Sequence, residues 1–219
     1  MSAIPLPEEE KSRFGKYQGF RWTVLGNSGS GKTQFLRFLI KKLIKNRYII
    51  YDIEGEYTDC GELVHNVKEL EKAITEKKNK IVFDTEQKTY EGMVDEVAYI
   101  SSLTMNNEYF QKWSIIIDEA HIIYPKSGTN SSDEAQADCI ALLVRGRKRG
   151  VNLALASQQL SMLNLVCVRQ ANLVFIMNLS ENEKKYFSGY EHIAMLDGKK
   201  DFSILNLTDG IIYPPVELI

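Results

Sequence analysis

Apolar and polar positions along this chain fall into blocks whose period switches back and forth between strand and helix. Six short runs, at 20–25, 48–53, 81–84, 113–118, 151–156 and 172–177, are almost wholly apolar, aromatic or β-branched. Runs of that length and composition predict strands buried on both faces. After the first of them, Leu36, Leu39, Ile40, Leu43 and Ile44 recur at three- and four-residue spacing, one face of a helix. Further helices are expected over 68–78, 92–105 and 133–149. Strands alternating with helices predict an α/β fold with a mostly parallel central sheet and helices on both faces. Two final runs, 202–207 and 211–213, flank Thr208-Asp209-Gly210 and predict an edge hairpin. Residues 1–19, with Glu8-Glu9-Glu10 followed by Lys11, Arg13 and Lys16, read as a lead-in tail, and 20–219 as one domain.

The turn between the first strand and the first helix changes the picture. Gly26-Asn27-Ser28-Gly29-Ser30-Gly31-Lys32-Thr33 matches G-x-x-x-x-G-K-[ST], the phosphate-binding P-loop, in the strand–turn–helix setting that motif requires. Glycines at 26, 29 and 31 permit positive φ and close backbone approach to an anion. Backbone N–H groups and the positive end of the helix then surround a phosphate chain. Asn27, Ser28, Gly29, Ser30, Gly31, Lys32, Thr33 and Gln34 are the residues expected around a nucleoside triphosphate. Lys32 reaches the β- and γ-phosphates, and the Thr33 hydroxyl ligates Mg²⁺.

A second block supplies what a hydrolase needs opposite that loop. Ser114-Ile115-Ile116-Ile117-Asp118-Glu119 is a buried strand that delivers carboxylates to its C-terminal end, where ligands sit in open α/β sheets. Asp118 is the expected partner of Thr33 at the Mg²⁺, and Glu119 the general base that activates water. Asp118-Glu119-Ala120-His121 also spells the box of one helicase class, but those proteins carry two motor domains in tandem, more than 219 residues hold. His121 reads as a local hydrogen-bonding residue.

Arg145-Gly146-Arg147-Lys148-Arg149-Gly150 precedes the strand at 151–156, which runs into Ser157-Gln158. Such a cluster is either a solvated helix C-terminus, favoured by the dipole, or a source of an arginine finger for a neighbouring subunit. Gln158, at the sheet's C-terminal edge, is placed to sense the γ-phosphate.

Composition sets the boundaries. The chain has 219 residues, 44% of them hydrophobic and 26% charged, enough for a sizeable core in one α/β domain. A formal net charge of −2 excludes a polycation, so nucleic-acid contact must come from local patches or from a ring that concentrates them. No run approaches the roughly 20 apolar residues of a membrane span, and the N-terminus lacks a secretory pattern. Cys60, Cys139 and Cys167 are too far apart for a metal motif and read as reduced packing residues. The expected location is therefore the cytoplasm, a host's cytoplasm or a virion if the protein is viral.

The order of these motifs resembles the HerA/FtsK superfamily of ring-forming, DNA-pumping ATPases. The resemblance rests on the P-loop, on Asp52-Ile53-Glu54-Gly55-Glu56-Tyr57, on Ile115-Ile116-Ile117-Asp118-Glu119-Ala120-His121, and on the run from Arg145 to Gln158. It spans roughly residues 20–180 and implies a RecA-like P-loop NTPase fold. It further implies ATP and Mg²⁺ as ligands, Glu119 as the base, Gln158 as the sensor, and Arg145, Arg147 or Arg149 as the trans finger. Glu54 and Glu56 either line the site or a subunit contact, or form a solvated turn. A homo-oligomeric ring, a hexamer, acting on double-stranded DNA is the implied assembly.

Cellular HerA and FtsK proteins carry further domains that 219 residues do not hold. The size is similar to genome-packaging ATPases of double-stranded DNA viruses, with a capsid vertex as docking partner. A cellular HerA-like translocase working with a nuclease stands as the alternative. A low-turnover, ATP-gated scaffold is a third reading, opposed by Glu119 and the basic cluster. For DNA contact, Lys41, Lys42, Lys45 and Arg47 read chiefly as a solvated helix face, and the loop 124–132 as a candidate pore loop.

Overall fold

The computed structural model describes residues 19–44, 47–126, 133–189, 204–206 and 210–213. The tail at 1–18, Lys45, most of the candidate pore loop and the Thr208-Asp209 turn lie outside the described residues.

Among the described residues nine strands form one sheet: β1 (Arg21–Leu25), β2 (Tyr48–Asp52), β3 (Glu62–Val64), β4 (Lys80–Asp84), β5 (Ser114–Ile117), β6 (Asn152–Ser157), β7 (Leu173–Ile176), β8 (Ile204–Asn206) and β9 (Ile211–Tyr213). Their spatial order is β3-β4-β2-β5-β6-β1-β7-β8-β9. The first seven strands pair in parallel, while β8 runs antiparallel to β7, and β9 to β8. The predicted strands are all present, with bounds shifted by a residue or two. β3 was not predicted, because three residues with Glu62 and Leu63 exposed carry almost no apolar signal.

Side chains alternate across the pleat, so β1, β2, β4, β5, β6 and β7 each feed two cores. On one face Ile49, Tyr51, Phe83, Ile115, Ile117, Leu153 and Leu155 pack with Val94, Val97 and Ile100 of α3 (Tyr90–Asn106) and Cys139 and Leu142 of α5 (Asp133–Arg145). On the other, Trp22, Val24, Ile50, Ile116, Ala154 and Phe175 meet Phe35, Leu36 and Leu39 of α1 (Lys32–Leu39). α1 continues as a wider π turn over Ile40–Ile44. α2 (Val67–Thr75) is capped by Asn66, whose side chain accepts the Glu69 N–H. The mostly parallel α/β architecture with helices on both faces is the one the alternation predicts.

The predicted helix 133–149 ends early. α5 stops at Arg145 and tightens into a 3₁₀ turn over Gly146–Arg149, closed by Gly150 at φ 77°. The cause is Arg21, which is 2% exposed. Its guanidinium donates to the carbonyls of Leu142 (2.9 Å), Leu143 (3.1 Å) and Val151 (2.7 Å), capping the end of the helix from β1. Glycine at 146 makes room for it, since a Cβ there would stand 2.4 Å from the Arg21 Nη2. Arg21→Met is expected to cost about 3 kcal/mol in a denaturant melt, because it strands several buried carbonyls.

Candidate functional site

β1 sits between β6 and β7, and the P-loop leaves its C-terminal end. The Gly26 N–H donates to the Ser157 carbonyl at the end of β6 (3.4 Å), and the Asn27 N–H to Asn178 beyond β7 (3.0 Å). Gly29 (φ 74°) and Gly31 (φ 90°) take the left-handed turn that L side chains resist, and Gly31 opens α1. Lys32 is buried and its Nζ donates back to the Asn27 carbonyl (2.9 Å). Burial pulls its ammonium below the ordinary range, while Glu119, Asp118 and Glu56 act in the opposite direction. Ser30 Oγ is buried in the loop without a hydrogen-bond partner among the described residues.

Opposite the loop, β5 ends at Ile117 and delivers Asp118 and Glu119, 4% and 7% exposed. Asp118 Oδ1 accepts the Glu119 N–H (2.9 Å) and Oδ2 accepts the Tyr57 O–H (2.7 Å). Glu119 adopts φ 48°, ψ 46°, a left-handed conformation costly for a non-glycine residue, and starts the short α4 (Ala120–Ile123). Its Oε2 lies 3.2 Å from His121 Nδ1, which is 3.3 Å from Ser157 Oγ. His121 therefore touches the Glu119 side chain itself.

Desolvation raises the Asp118 carboxyl from 3.8 to about 6, against the opposing pull of the Tyr57 O–H and Glu119 N–H. The folded protein holds this proton more tightly than the unfolded chain, so the stability it contributes is full below about pH 4 and lost as pH rises through about 6. Asp118→Asn is expected to stabilise the metal-free protein by up to about 3 kcal/mol above pH 7 and to leave it unchanged below pH 4. Denaturant melts in EDTA across that range measure the gap; a gap independent of pH would contradict the assignment.

The segment after β2 is part of this site. Asp52, wholly buried, accepts the N–H groups of Glu56 (3.0 Å) and Tyr57 (2.8 Å) around a turn that Gly55 makes at φ 70°. Glu56 Oε2 accepts the Thr33 hydroxyl (2.6 Å), and Arg37 on α1 donates to the Glu56 carbonyl (2.6 Å) and pairs with Asp59. Of the open readings for Glu56, the structure realises the one that lines the site. Asp52 and Tyr57 had no role from sequence; the signal was a charged residue closing an apolar strand. Glu54 is exposed and makes no contact with the P-loop that the structure describes.

The remaining predicted residues divide by position. Gln158 is half-buried directly after β6, next to Ser157, whose carbonyl accepts the Gly26 N–H. Ser28, exposed, and Gln34, on the first turn of α1, complete the loop. Arg145, Arg147 and Arg149 lie at the other end of β6, whose six residues at about 3.3 Å each set them roughly 20 Å from their own P-loop. Arg145 and Arg149 are exposed, whereas Arg147 is half-buried and its carbonyl accepts the N–H groups of Gly19 and Gly150.

A cavity of about 650 Å³ opens beside Asn27. Ser180, Asn182 and Tyr186 line it from the segment around α6 (Glu181–Lys184), which is fixed by a Ser180–Glu183 capping box. Placed with its nitrogen toward Glu183, the Asn27 amide donates to that carboxylate (3.1 Å) and accepts from the Ser180 N–H (3.2 Å).

For Mg²⁺ the donor chemistry fits. Thr33 Oγ1 and the Asp118 carboxylate are hard oxygen donors on facing elements, with Glu119 behind them. Among the described residues no group of three or more His, Cys, Asp or Glu side chains could hold a metal ion. Mg²⁺ that sits against substrate phosphates uses only one or two protein groups and keeps its waters.

Strand, glycine loop, helix and apposed strand-end carboxylates define a protein of the P-loop NTPase class. Residues 21–168 match the family described as Helicase HerA, central domain, and the chain belongs to that family. It is an ATPase. No curated protein matches it. Among solved structures it is similar to the genome packaging NTPase B204 from Sulfolobus turreted icosahedral virus 2 in complex with AMP. That likeness has 20% identity and a TM-score of 0.70, over 91% of this chain and 98% of that one. The ATP-gammaS complex of the same protein gives 20% identity and a TM-score of 0.69, over 90% and 98%. VirB4 of Thermoanaerobacter pseudethanolicus shares 13% identity at a TM-score of 0.57, over 86% and 87%. No helix among the described residues is long and apolar enough to cross a membrane.

Proposed function

We propose that this protein is a Mg²⁺-dependent ATPase that assembles as a ring, a hexamer, and translocates double-stranded DNA, in the setting of genome packaging into a viral capsid. The observation that carries the ring is the separation of its catalytic groups. The P-loop, Asp118, Glu119 and Gln158 cluster at one edge of the sheet, while the exposed Arg145 and Arg149 lie at the other. An arginine that cannot reach its own nucleotide acts in catalysis only by serving a neighbour's. The packaging setting is supported by the likeness to B204, which its description names a genome packaging NTPase.

In this reading Lys32 and the loop N–H groups hold the triphosphate, and the cavity beside Asn27 takes the base and ribose. Glu119 accepts the proton of the attacking water; the water's oxygen bonds to the γ-phosphorus as the bond to the β,γ-bridging oxygen breaks, and ADP leaves with that oxygen. Bound Mg²⁺, held by Thr33 and Asp118, would neutralise phosphate charge. The left-handed backbone at Glu119 sets the direction of its carboxylate, and His121 Nδ1, itself 3.3 Å from Ser157 Oγ, stands 3.2 Å from its Oε2. Gln158, next to Gly26, reports the γ-phosphate to β6, and β6 leads back to the basic turn.

The test is ATPase rate with and without double-stranded DNA, together with mass by light scattering. A ring-sized particle whose turnover rises with DNA is expected. A monomer with DNA-indifferent turnover would contradict the reading and favour the ATP-gated scaffold.

A further inference from the structure

We infer that the turn 52–57 is a positioning device for the cation-facing oxygens of the site, with Tyr57 orienting Asp118 and Glu56 orienting Thr33. The inference rests on the Mg²⁺–ATP reading above and deepens it.

β2 and β5 are paired in register, Tyr51 against Ile117, so the chain leaves both strands at the same edge, at Asp52 and Asp118. Asp52 turns inward and organises the turn through two backbone N–H groups, and Gly55 supplies the reversal. Tyr57 is thereby buried with its hydroxyl 2.7 Å from Asp118 Oδ2. With Oδ1 held by the Glu119 N–H, both carboxylate oxygens are fixed, and each keeps acceptor capacity for a metal-bound water. The neighbouring residue of the same turn, Glu56, accepts the Thr33 hydroxyl at 2.6 Å. One turn thus grips the protein oxygens on both sides of the cation position, as partners of metal ligands do elsewhere.

A tyrosine that merely filled space would make the same ring contacts, and losing its hydroxyl would change stability alone. A positioning role predicts a loss confined to the Mg²⁺-dependent part of nucleotide binding. The experiment uses the full chain and a fluorescent ATP analogue, titrated in EDTA and across Mg²⁺ concentrations, for wild type, Tyr57→Phe and Glu56→Gln, with melts recorded alongside.

Tyr57→Phe is expected to bind the analogue in EDTA as wild type does, and to need about tenfold more Mg²⁺ for half-maximal enhancement. In an Asp118→Asn background it should add no further shift. An unchanged Mg²⁺ requirement, or a shift just as large in the Asp118→Asn background, would overturn the inference. If Tyr57→Phe does not fold, Glu56→Gln decides: a raised Mg²⁺ requirement supports the device, an unchanged one overturns it. A wild type that gains nothing from Mg²⁺ would instead bring down the Mg²⁺–ATP reading itself.

Discussion

Replacing the arginine finger is expected to lower ATP turnover by about 10³–10⁵-fold while ATP binding survives. The geometry narrows the candidates. Arg147 is half-buried, whereas a side chain that enters a neighbour's site must extend from the surface. Arg145 and Arg149 project from the end of α5 and from the 3₁₀ turn, exposed, with the helix clamped beneath them by Arg21. One of Arg145→Ala and Arg149→Ala should therefore carry the loss. The sign that it acts in trans is complementation. Mixed with Glu119→Gln subunits, the dead arginine variant should regain part of its turnover, because some interfaces then pair an intact Glu119 with an intact arginine. Steady-state rates of the pure and mixed proteins measure this. No recovery on mixing would place the arginine's role within its own subunit, or outside catalysis.

Glu119→Gln is expected to reduce turnover by about 10²–10⁴-fold, the usual worth of a positioned general base, without loss of ATP affinity. The amide keeps the shape and the contact with His121 but cannot take the proton of water. The left-handed backbone at Glu119 is unaffected by the change, so the melt should stay close to wild type. Single-turnover hydrolysis alongside nucleotide binding separates the two effects. A variant that hydrolyses at the wild-type rate would remove Glu119 from its role.

Much of this was legible because the relevant signals are local. Six of the strands announce themselves as apolar runs since they are buried on both faces, and the P-loop reads directly because its glycines answer to backbone conformation. What stayed hidden depends on distant partners. Asp52 and Tyr57 look like parts of a polar turn; only the parallel pairing of β2 with β5 brings the Tyr57 hydroxyl to Asp118. The early end of α5 is equally illegible, because the residue that stops it, Arg21, lies more than a hundred positions upstream. The sequence reads His121 as a local hydrogen-bonding residue; its hydrogen-bond partner is Ser157, across from it on β6, and the Glu119 carboxylate stands 3.2 Å from the same ring nitrogen. The order of β6, β1 and β7 was likewise unreadable, and it is that order which puts Gln158 next to the P-loop and the arginines far from it.

The central claim is that ATP hydrolysis at this site moves the protein along duplex DNA, and displacement of a triplex-forming strand tests it most directly. On a long duplex carrying a labelled third strand, wild-type protein with ATP and Mg²⁺ should strip that strand off, and Glu119→Gln should leave it in place. ATP hydrolysis by the wild type with the third strand undisturbed would contradict the account.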